Sequence, residues 1–160
     1  LNHADYWVNW AAAHGVSLDA LQAQKVPAEL HALSHWCSQT TTSESLLVSM
    51  AATNYAIEGV TGEWAAVVCS SDVYAEGFPE EGRKRAMKWL RMHAQYDDAH
   101  PWEALEIICT LAGLQPSASL VEDLRKAICK SYDYMFMFLE RCLEIEARER
   151  MGSSREAVSA

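Results

Sequence analysis

The apolar stretch from Ser45 to Ser70 is far longer than a typical strand, and it predicts one buried helix although it contains Gly59 and Gly62. Only 7 glycines and 4 prolines interrupt the 160 residues, and we find no convincing run of the two-residue alternation that marks a strand. Half of the residues are apolar, so a chain of this length can bury a core as one domain. Together these features predict an all-α fold.

Other segments also show helical patterns, separated by capping residues and breakers. The predicted helices cover residues 2–14, a short segment after Ser17, about 28–41, 80–98, 101–112 after a kink or break at Pro101, and a last stretch from Ser117 or Ser119 to about Met151. Residues 71–81 are predicted to form a loop because they contain a glycine and a proline. A helical domain is therefore expected over residues 1–151, with a disordered tail over residues 152–160.

The charge and the cysteine content of the sequence indicate which binding partners and which redox state of the thiols to expect. The sequence has 13 basic and 22 acidic side chains and a net charge of −9, so nucleic acids and anionic membrane surfaces are poor partners. Its 5 cysteines form no CxxC pair, and we expect them to be reduced, buried thiols of a cytoplasmic protein. No segment resembles a signal peptide, and no apolar run is long enough to span a bilayer.

The strongest chemical signal is the segment from His93 to His100, in which Asp97 lies between two histidines. On one continuous helix, Asp97 lies roughly 40° from His93 and His100 roughly 20° to its other side, whereas Asp98 points about 140° away. Two imidazoles and a carboxylate on one face suit non-haem iron or another metal that prefers nitrogen and oxygen ligands. Ordinary contacts on a helix surface explain the spacing about equally well. The apolar residues on either side predict burial, however, where ionisable groups need a partner or a metal.

Glu58 is the second candidate, because it is a carboxylate inside the long apolar stretch. Its predicted helix face otherwise carries mostly small residues, namely Ala51, Asn54, Tyr55, Thr61, Gly62 and Ala65. Such a face leaves room for an ion or a substrate. Glu63 points about 140° away on an ideal helix, so we expect it to face solvent or an ion pair. We therefore favour Glu58 over Glu63 as a functional residue, with a buried ion pair as the alternative.

His3 is the third candidate. It shares a predicted helix face with Trp7, Trp10 and His14, and a core histidine explains this stripe at least as well as a metal ligand does. His31 and His35 lie one turn apart, but no acid on their face completes a site. We therefore interpret His31 and His35 as structural.

Two of these segments carry a resemblance to a known family. Residues 54–59 and 93–105 resemble the heme-oxygenase-like iron-containing oxidases of the TenA/PqqC-like superfamily, and the resemblance extends from His3 to about Glu146. It implies a heme-oxygenase-like helical bundle that holds two iron ions with three histidines and three carboxylates. It also implies a homodimer.

The resemblance assigns ligands residue by residue. It gives the later helices of the site the ligands Glu58, His93, Asp97 and His100. His3 matches the histidine of an earlier Glu-x-x-His pair, whose glutamate would fall one position before Leu1. The sequence is therefore expected to be one carboxylate short and to lack the family's N-terminal helices, either because it is cut from a longer protein or because its site is incomplete.

The implied activity is that of an Fe(II)- and O2-dependent oxidoreductase acting on an unidentified small organic substrate. Tyr55 is the expected catalytic residue in the cavity. Tyr132 and Tyr134 are further candidates for its lining, but we favour their interpretation as aromatic residues of the core. The protein's own part would be to fix ligand geometry and to keep the cavity dry.

Other functions of the superfamily stay open at this point. A thiamine-salvage hydrolase uses a cysteine one turn before a tyrosine, and the position one turn before Tyr55 is Ala51. A cofactorless PqqC-like oxidase is expected to present cationic groups to an anionic substrate, whereas this chain is acidic. Haem binding through His3 is compatible with the spacing. If the glutamate of the Glu-x-x-His pair is absent, we expect a helical bundle without catalytic activity that binds a metal or another protein.

Overall fold

The computed structural model describes residues 2–23, 25–96 and 99–158, with side chains as far as residue 150 except those of Tyr96 and Glu149. Within these ranges all regular structure is helical and no strand occurs, which confirms the predicted all-α class. The helices are α1 (His3–Ala13), α2 (Leu18–Ala23), α3 (Ala28–Ser43), α4 (Leu46–Met50), a π-helix (Ala51–Ile57), α5 (Glu58–Cys69), α6 (Val73–Glu76), α7 (Glu80–Ala86), α8 (Lys88–Tyr96), α9 (His100–Ala112) and α10 (Ala118–Val158).

Residues 46–69 form one continuous helical run, which confirms the buried helix predicted between Ser45 and Ser70. Ser45 caps this run, since its hydroxyl accepts a hydrogen bond from the backbone N–H of Val48 at 3.4 Å. Its almost fully buried residues are small, namely Ala51, Ala52, Ala56 and Ala65. Small side chains let neighbouring helices approach closely, so α5 packs along α8 and the π-helix packs against α9 and α10.

Two buried clusters form around this central run. The first includes Ala65 of α5 together with Phe78, Met87 and Leu90 from the α6–α8 region. The second joins Val48 and Ala52 to Ala127 of α10. The central run thus holds α8 on one side and α10 on the other.

Two predicted segments differ from the structure between residues 71 and 98. The predicted loop over residues 71–81 contains the short helix α6. The single helix predicted over residues 80–98 is divided at Met87, which has φ −80° and ψ −4°. Met87 is only 1% exposed, so burying its side chain redirects the backbone between α7 and α8. Helical periodicity does not report such a change of direction.

The last helix begins as predicted, because the Ser117 hydroxyl accepts a bond from the Leu120 N–H at 3.2 Å. It continues to Val158, past the predicted end near Met151, so the backbone of the predicted disordered tail is helical as far as Val158. Ion pairs at helical spacing support its C-terminal half, including Arg148–Glu144 and Arg150–Glu146. The domain boundary at residue 151 stays a prediction.

The cysteines are less buried than predicted. All five are free thiols, but Cys109, Cys129 and Cys142 are exposed, whereas Cys37 and Cys69 are half-buried. The exposed three lie on the outer faces of α9 and α10, whereas apolar residues beside two of them, Ile108 and Ala127, are buried. No helix in the described ranges is both long and apolar enough to cross a bilayer.

Candidate metal centre

His93 lies on α8 and is only 8% exposed. Its Nδ1 lies 2.8 Å from the backbone carbonyl oxygen of Trp89, one turn earlier. A carbonyl can only accept, so Nδ1 carries the proton and donates it. This bond leaves Nε2 as the ring nitrogen available to a metal, and either nitrogen of an imidazole can serve as a ligand.

His3 lies directly against His93. The centroids of the two imidazole rings are 5.3 Å apart and the rings meet edge to face. His3 is the first residue of α1, and the start of α1 is fixed by a reciprocal capping box between Asn2 and Asp5. The structure thus brings together the first and third sequence candidates, which are ninety positions apart in the chain.

Glu58 is half-buried and begins α5, directly after the π-helix. Its backbone N–H donates to the carbonyl of Thr53, five residues earlier, which is the hydrogen bond of a π-helix. The Asn54 side-chain amide donates to Glu58 Oε1 at 3.3 Å. The nearby Thr53 hydroxyl donates its one proton to the Ser49 carbonyl at 2.8 Å, so the bond from Asn54 is the one that orients the Glu58 carboxylate here. π-Helical turns occur frequently at functional sites.

His100 begins the separate helix α9 and is exposed. Residues 97 and 98 lie outside the described ranges, so the common face of His93, Asp97 and His100 stays a prediction. The buried Pro101 stands in the first turn of α9, at the position where a kink or break was predicted. Gly59 approaches Pro101 so closely that a Cβ added to it would lie 3.4 Å from the Pro101 Cβ. Glu58 directly precedes Gly59, and His100 directly precedes Pro101. The two candidate ligands therefore lie on adjoining helical segments.

The donor chemistry of these residues fits iron, since a suitably protonated imidazole and a hydrogen-bonded carboxylate are nitrogen and oxygen ligands. Within the described ranges, no group of three or more His, Cys, Asp or Glu side chains is placed to hold a metal ion. Asp97, the carboxylate predicted between His93 and His100, lies outside those ranges together with Asp98. The ligand set His3, Glu58, His93, Asp97 and His100 therefore stays a prediction.

Tyr55 lines a cavity of about 150 Å³. The other lining residues come from α5, α9 and α10, and they are Gly59, Val60, Glu63, Pro101, Trp102 and Tyr132. Glu63 lines the same cavity as Tyr55 and is exposed, as predicted. The π-helix was not predicted, because a projection at 100° per residue does not describe its wider turns.

A second, more apolar groove of about 310 Å³ adjoins this cavity and shares Val60, Glu63 and Tyr132 with it. Met135, Phe136 and Leu139 of α10 complete it. Tyr132 therefore lines both cavities, although packing in the core was the favoured interpretation of this residue. Tyr134 instead packs against Trp36, with ring centroids 5.8 Å apart.

Sequence reasoning missed the residues that hold the candidate ligands in position. Trp89 and Asn54 each stand four residues before a candidate ligand, His93 and Glu58 respectively. The one-turn spacing is visible in the sequence and could have identified both positions. The sequence does not show, however, that His93 bonds to the backbone oxygen of Trp89, because any residue at that position has the same oxygen.

Comparison with known proteins gives two results. A family model described as an iron-containing redox enzyme matches residues 1–132. The chain is also similar to the crystal structure of a TenA homolog from Pseudomonas syringae pv. tomato str. DC3000, with 71% sequence identity and a TM-score of 0.86. This match covers 89% of the present chain and 59% of the other, so the chain spans less than two thirds of that protein's length. No protein of curated function matches.

Proposed function

This chain belongs to the family of iron-containing redox enzymes and has their heme-oxygenase-like helical fold, and we propose that it is a non-haem, two-iron oxidoreductase that uses O2. The observation that carries the proposal is the pair of His93 and His3. Their rings are 5.3 Å apart, and the Nδ1 proton of His93 is held by the Trp89 carbonyl. A ring held in this way presents Nε2 as a ligand without a rotamer or tautomer change.

The proposed ligands divide the work between nitrogen and oxygen donors. The imidazoles of His3, His93 and His100 supply neutral nitrogen donors, and the carboxylates of Glu58 and Asp97 offset the positive charge of the metal. Iron bound there would supply the reaction with O2 that protein side chains cannot carry out by themselves. The Asn54 amide limits rotation of the Glu58 carboxylate, because it donates a hydrogen bond to Glu58 Oε1.

The substrate is proposed to be a small organic molecule with an apolar part. The cavity beside Tyr55 presents hydroxyl and carboxylate groups, and the adjoining groove on α10 presents mostly apolar side chains. Burial, together with the nearby Tyr55 and Glu63, raises the pKa of Tyr132 above its ordinary value. Tyr132 therefore stays protonated at neutral pH, and with Tyr55 it offers a hydroxyl to orient the polar end of the substrate.

Anaerobic loading of the chain with Fe(II), followed by O2, tests the proposal. We expect bound iron, O2 consumption and an absorbance change that depends on O2. The variants His93→Ala and Asp97→Ala should lose both the iron and the absorbance change. His35→Ala is the matched control, because it removes an exposed imidazole from α3. Unchanged iron binding in both ligand variants would contradict the proposal.

A hydrolase is the second candidate, since the similar crystal structure is that of a TenA homolog. A nucleophilic cysteine needs a lowered pKa, but burial raises the pKa of the Cys37, Cys69 and Cys142 thiols. Hydrolysis of a thiamine derivative by the metal-free protein, lost on replacement of a single cysteine by serine, would favour the hydrolase over the oxidoreductase.

A further inference from the structure

Four tryptophans form one cluster beside the candidate metal centre. Trp89 lies next to His93, with ring centroids 4.1 Å apart. Trp10 of α1 stacks on Trp89 at 5.4 Å with an angle of only 12° between the ring planes. The ring centroid of Trp7 lies 4.8 Å from that of Trp10 and 5.2 Å from that of Trp89. The ring centroid of Trp64, on α5, lies 6.2 Å from that of Trp10 and 6.1 Å from that of Trp89. The rings are therefore continuous from His93 through Trp89 to Trp10.

The cluster ends in a hydrogen-bonded tyrosine–histidine pair. Trp10 Nε1 donates to the Tyr74 hydroxyl oxygen at 3.0 Å, and the same oxygen lies 2.8 Å from His14 Nε2. An indole N–H can only donate, so the phenol proton remains available for donation to a neutral His14. His14 is exposed at the end of α1, whereas Tyr74 is half-buried. The aromatic chain thus connects a buried histidine to the surface.

Apolar packing accounts for the tryptophan rings but not for this polar end. Packing requires only that buried N–H and O–H groups find a partner. Here the partners are in series: a tryptophan, a tyrosine and a base that can take the phenol proton. Burial raises the pKa of Tyr74. Its phenol is therefore protonated at neutral pH, and loss of an electron from it requires a proton acceptor such as His14.

We propose that Trp89, Trp10 and Tyr74 relay an oxidising equivalent from the metal centre to the surface, with His14 as the proton acceptor. The proposal rests on the proposed function, which supplies the oxidant through O2 and iron. Its role is to discharge the centre when O2 reacts in the absence of substrate, before the oxidant attacks its own ligands.

Each step of the relay balances. Trp89 gives one electron to the oxidant at the centre, which is reduced by one electron, and Trp89 becomes a cation radical. Trp10 then reduces Trp89 and becomes the cation radical in its turn. Tyr74 gives one electron to Trp10 and its phenol proton to His14 Nε2, which leaves a neutral tyrosyl radical beside an imidazolium. A soluble thiol donates a hydrogen atom to Tyr74, and His14 releases its proton to the solvent.

Pulse radiolysis of the metal-free protein in azide solution tests the relay without iron, because azide radicals oxidise tryptophan in preference to tyrosine. In the wild type we expect the absorbance of the tryptophanyl radical to decay in a fast intramolecular phase while that of the tyrosyl radical rises. Tyr74→Phe should lose that phase, and His14→Ala should slow it. Tyr6→Phe is the matched control, because Tyr6 is a half-buried tyrosine on the same helix as Trp10. The ring of Tyr6 lies beneath the Lys88 ammonium group.

Rapid freezing of the Fe(II)-loaded protein after mixing with O2 gives the second readout. Electron paramagnetic resonance should detect a tyrosyl radical in the wild type and in Tyr6→Phe, but not in Tyr74→Phe. A fast phase that persists in Tyr74→Phe would overturn the relay even if iron binds normally. If iron fails to bind, the proposed function fails, and the radiolysis result still decides whether the tryptophans pass the oxidising equivalent to Tyr74.

Discussion

At the scale of single residues, the candidate centre depends on side chains that do not themselves bind metal. The Asn54 amide donates to Glu58 Oε1, and the Trp89 carbonyl accepts from His93 Nδ1. Each of these bonds sets the orientation of one proposed ligand. Such partners hold ligands in the geometry that the metal requires, and losing one typically weakens metal affinity.

We therefore expect Asn54→Leu to weaken Fe(II) affinity by about 10- to 100-fold, because the Glu58 carboxylate loses the group that orients it. Competition with a chelator under anaerobic conditions measures the change. Thr61→Val is the matched control, since it removes a hydroxyl from the same helical run that bonds only the Ile57 carbonyl in the described structure. An affinity in Asn54→Leu equal to that of the control would show that Asn54 does not orient a ligand.

At the scale of the helices, the π-helix depends on a neighbour. The Trp36 indole N–H donates to the Ser131 hydroxyl at 2.8 Å, and that hydroxyl donates to the carbonyl oxygen of Ala52 at 2.8 Å. Ser131 is 0% exposed. The bond to Ala52 satisfies a carbonyl within the π-helix, so α3 and α10 both support the segment that positions Glu58.

Ser131→Ala should lower the free energy of unfolding by about 1–3 kcal/mol, because it leaves a buried N–H and a buried carbonyl without their partner. Urea denaturation followed by circular dichroism measures this loss. Ser34→Ala removes an exposed hydroxyl from α3 and should change the stability little. Equal stability of the two variants would mean that water replaces Ser131 without cost.

The same segment shows which helical features could be predicted from the sequence and which could not. Apolar length and the shortage of breakers correctly predicted a buried helix from Ser45 to Ser70, and the spacing of Trp7, Trp10 and His14 correctly predicted a shared face with His3. The π-helical turns depend on the Ser131 contact, which joins residues far apart in the chain. Local periodicity cannot report that contact, and so it predicted an ordinary α-helix through residues 51–57.

At the scale of the whole molecule, α10 has an exposed apolar stripe. Phe136, Leu139 and Leu143 are spaced three and four residues apart on this helix, and they are 66%, 46% and 64% exposed. Phe136 and Leu139 also line the groove of the proposed substrate site, so a second copy packed here would close that groove against solvent. Burying such a stripe against a second copy removes apolar surface from water. We therefore expect the homodimer that the family resemblance implied to form along α10.

Sedimentation velocity tests this expectation. The wild type should sediment as a dimer, and Leu143→Glu should shift it to a monomer with an unchanged circular dichroism spectrum, since a buried carboxylate without a partner is costly. Leu114→Glu changes a fully exposed leucine outside α10 and should remain dimeric. A monomeric wild type, or a dimeric Leu143→Glu variant, would place any association elsewhere.

The central claim concerns where iron binds in the whole fold, and anomalous diffraction at the iron absorption edge measures this most directly. Crystals of the protein loaded with Fe(II) under anaerobic conditions should show anomalous density enclosed by His93, His3, Glu58, Asp97 and His100, with His93 Nε2 rather than Nδ1 facing the metal. Iron density at another place, such as the exposed His31 and His35 on α3, together with none beside His93, would contradict the account.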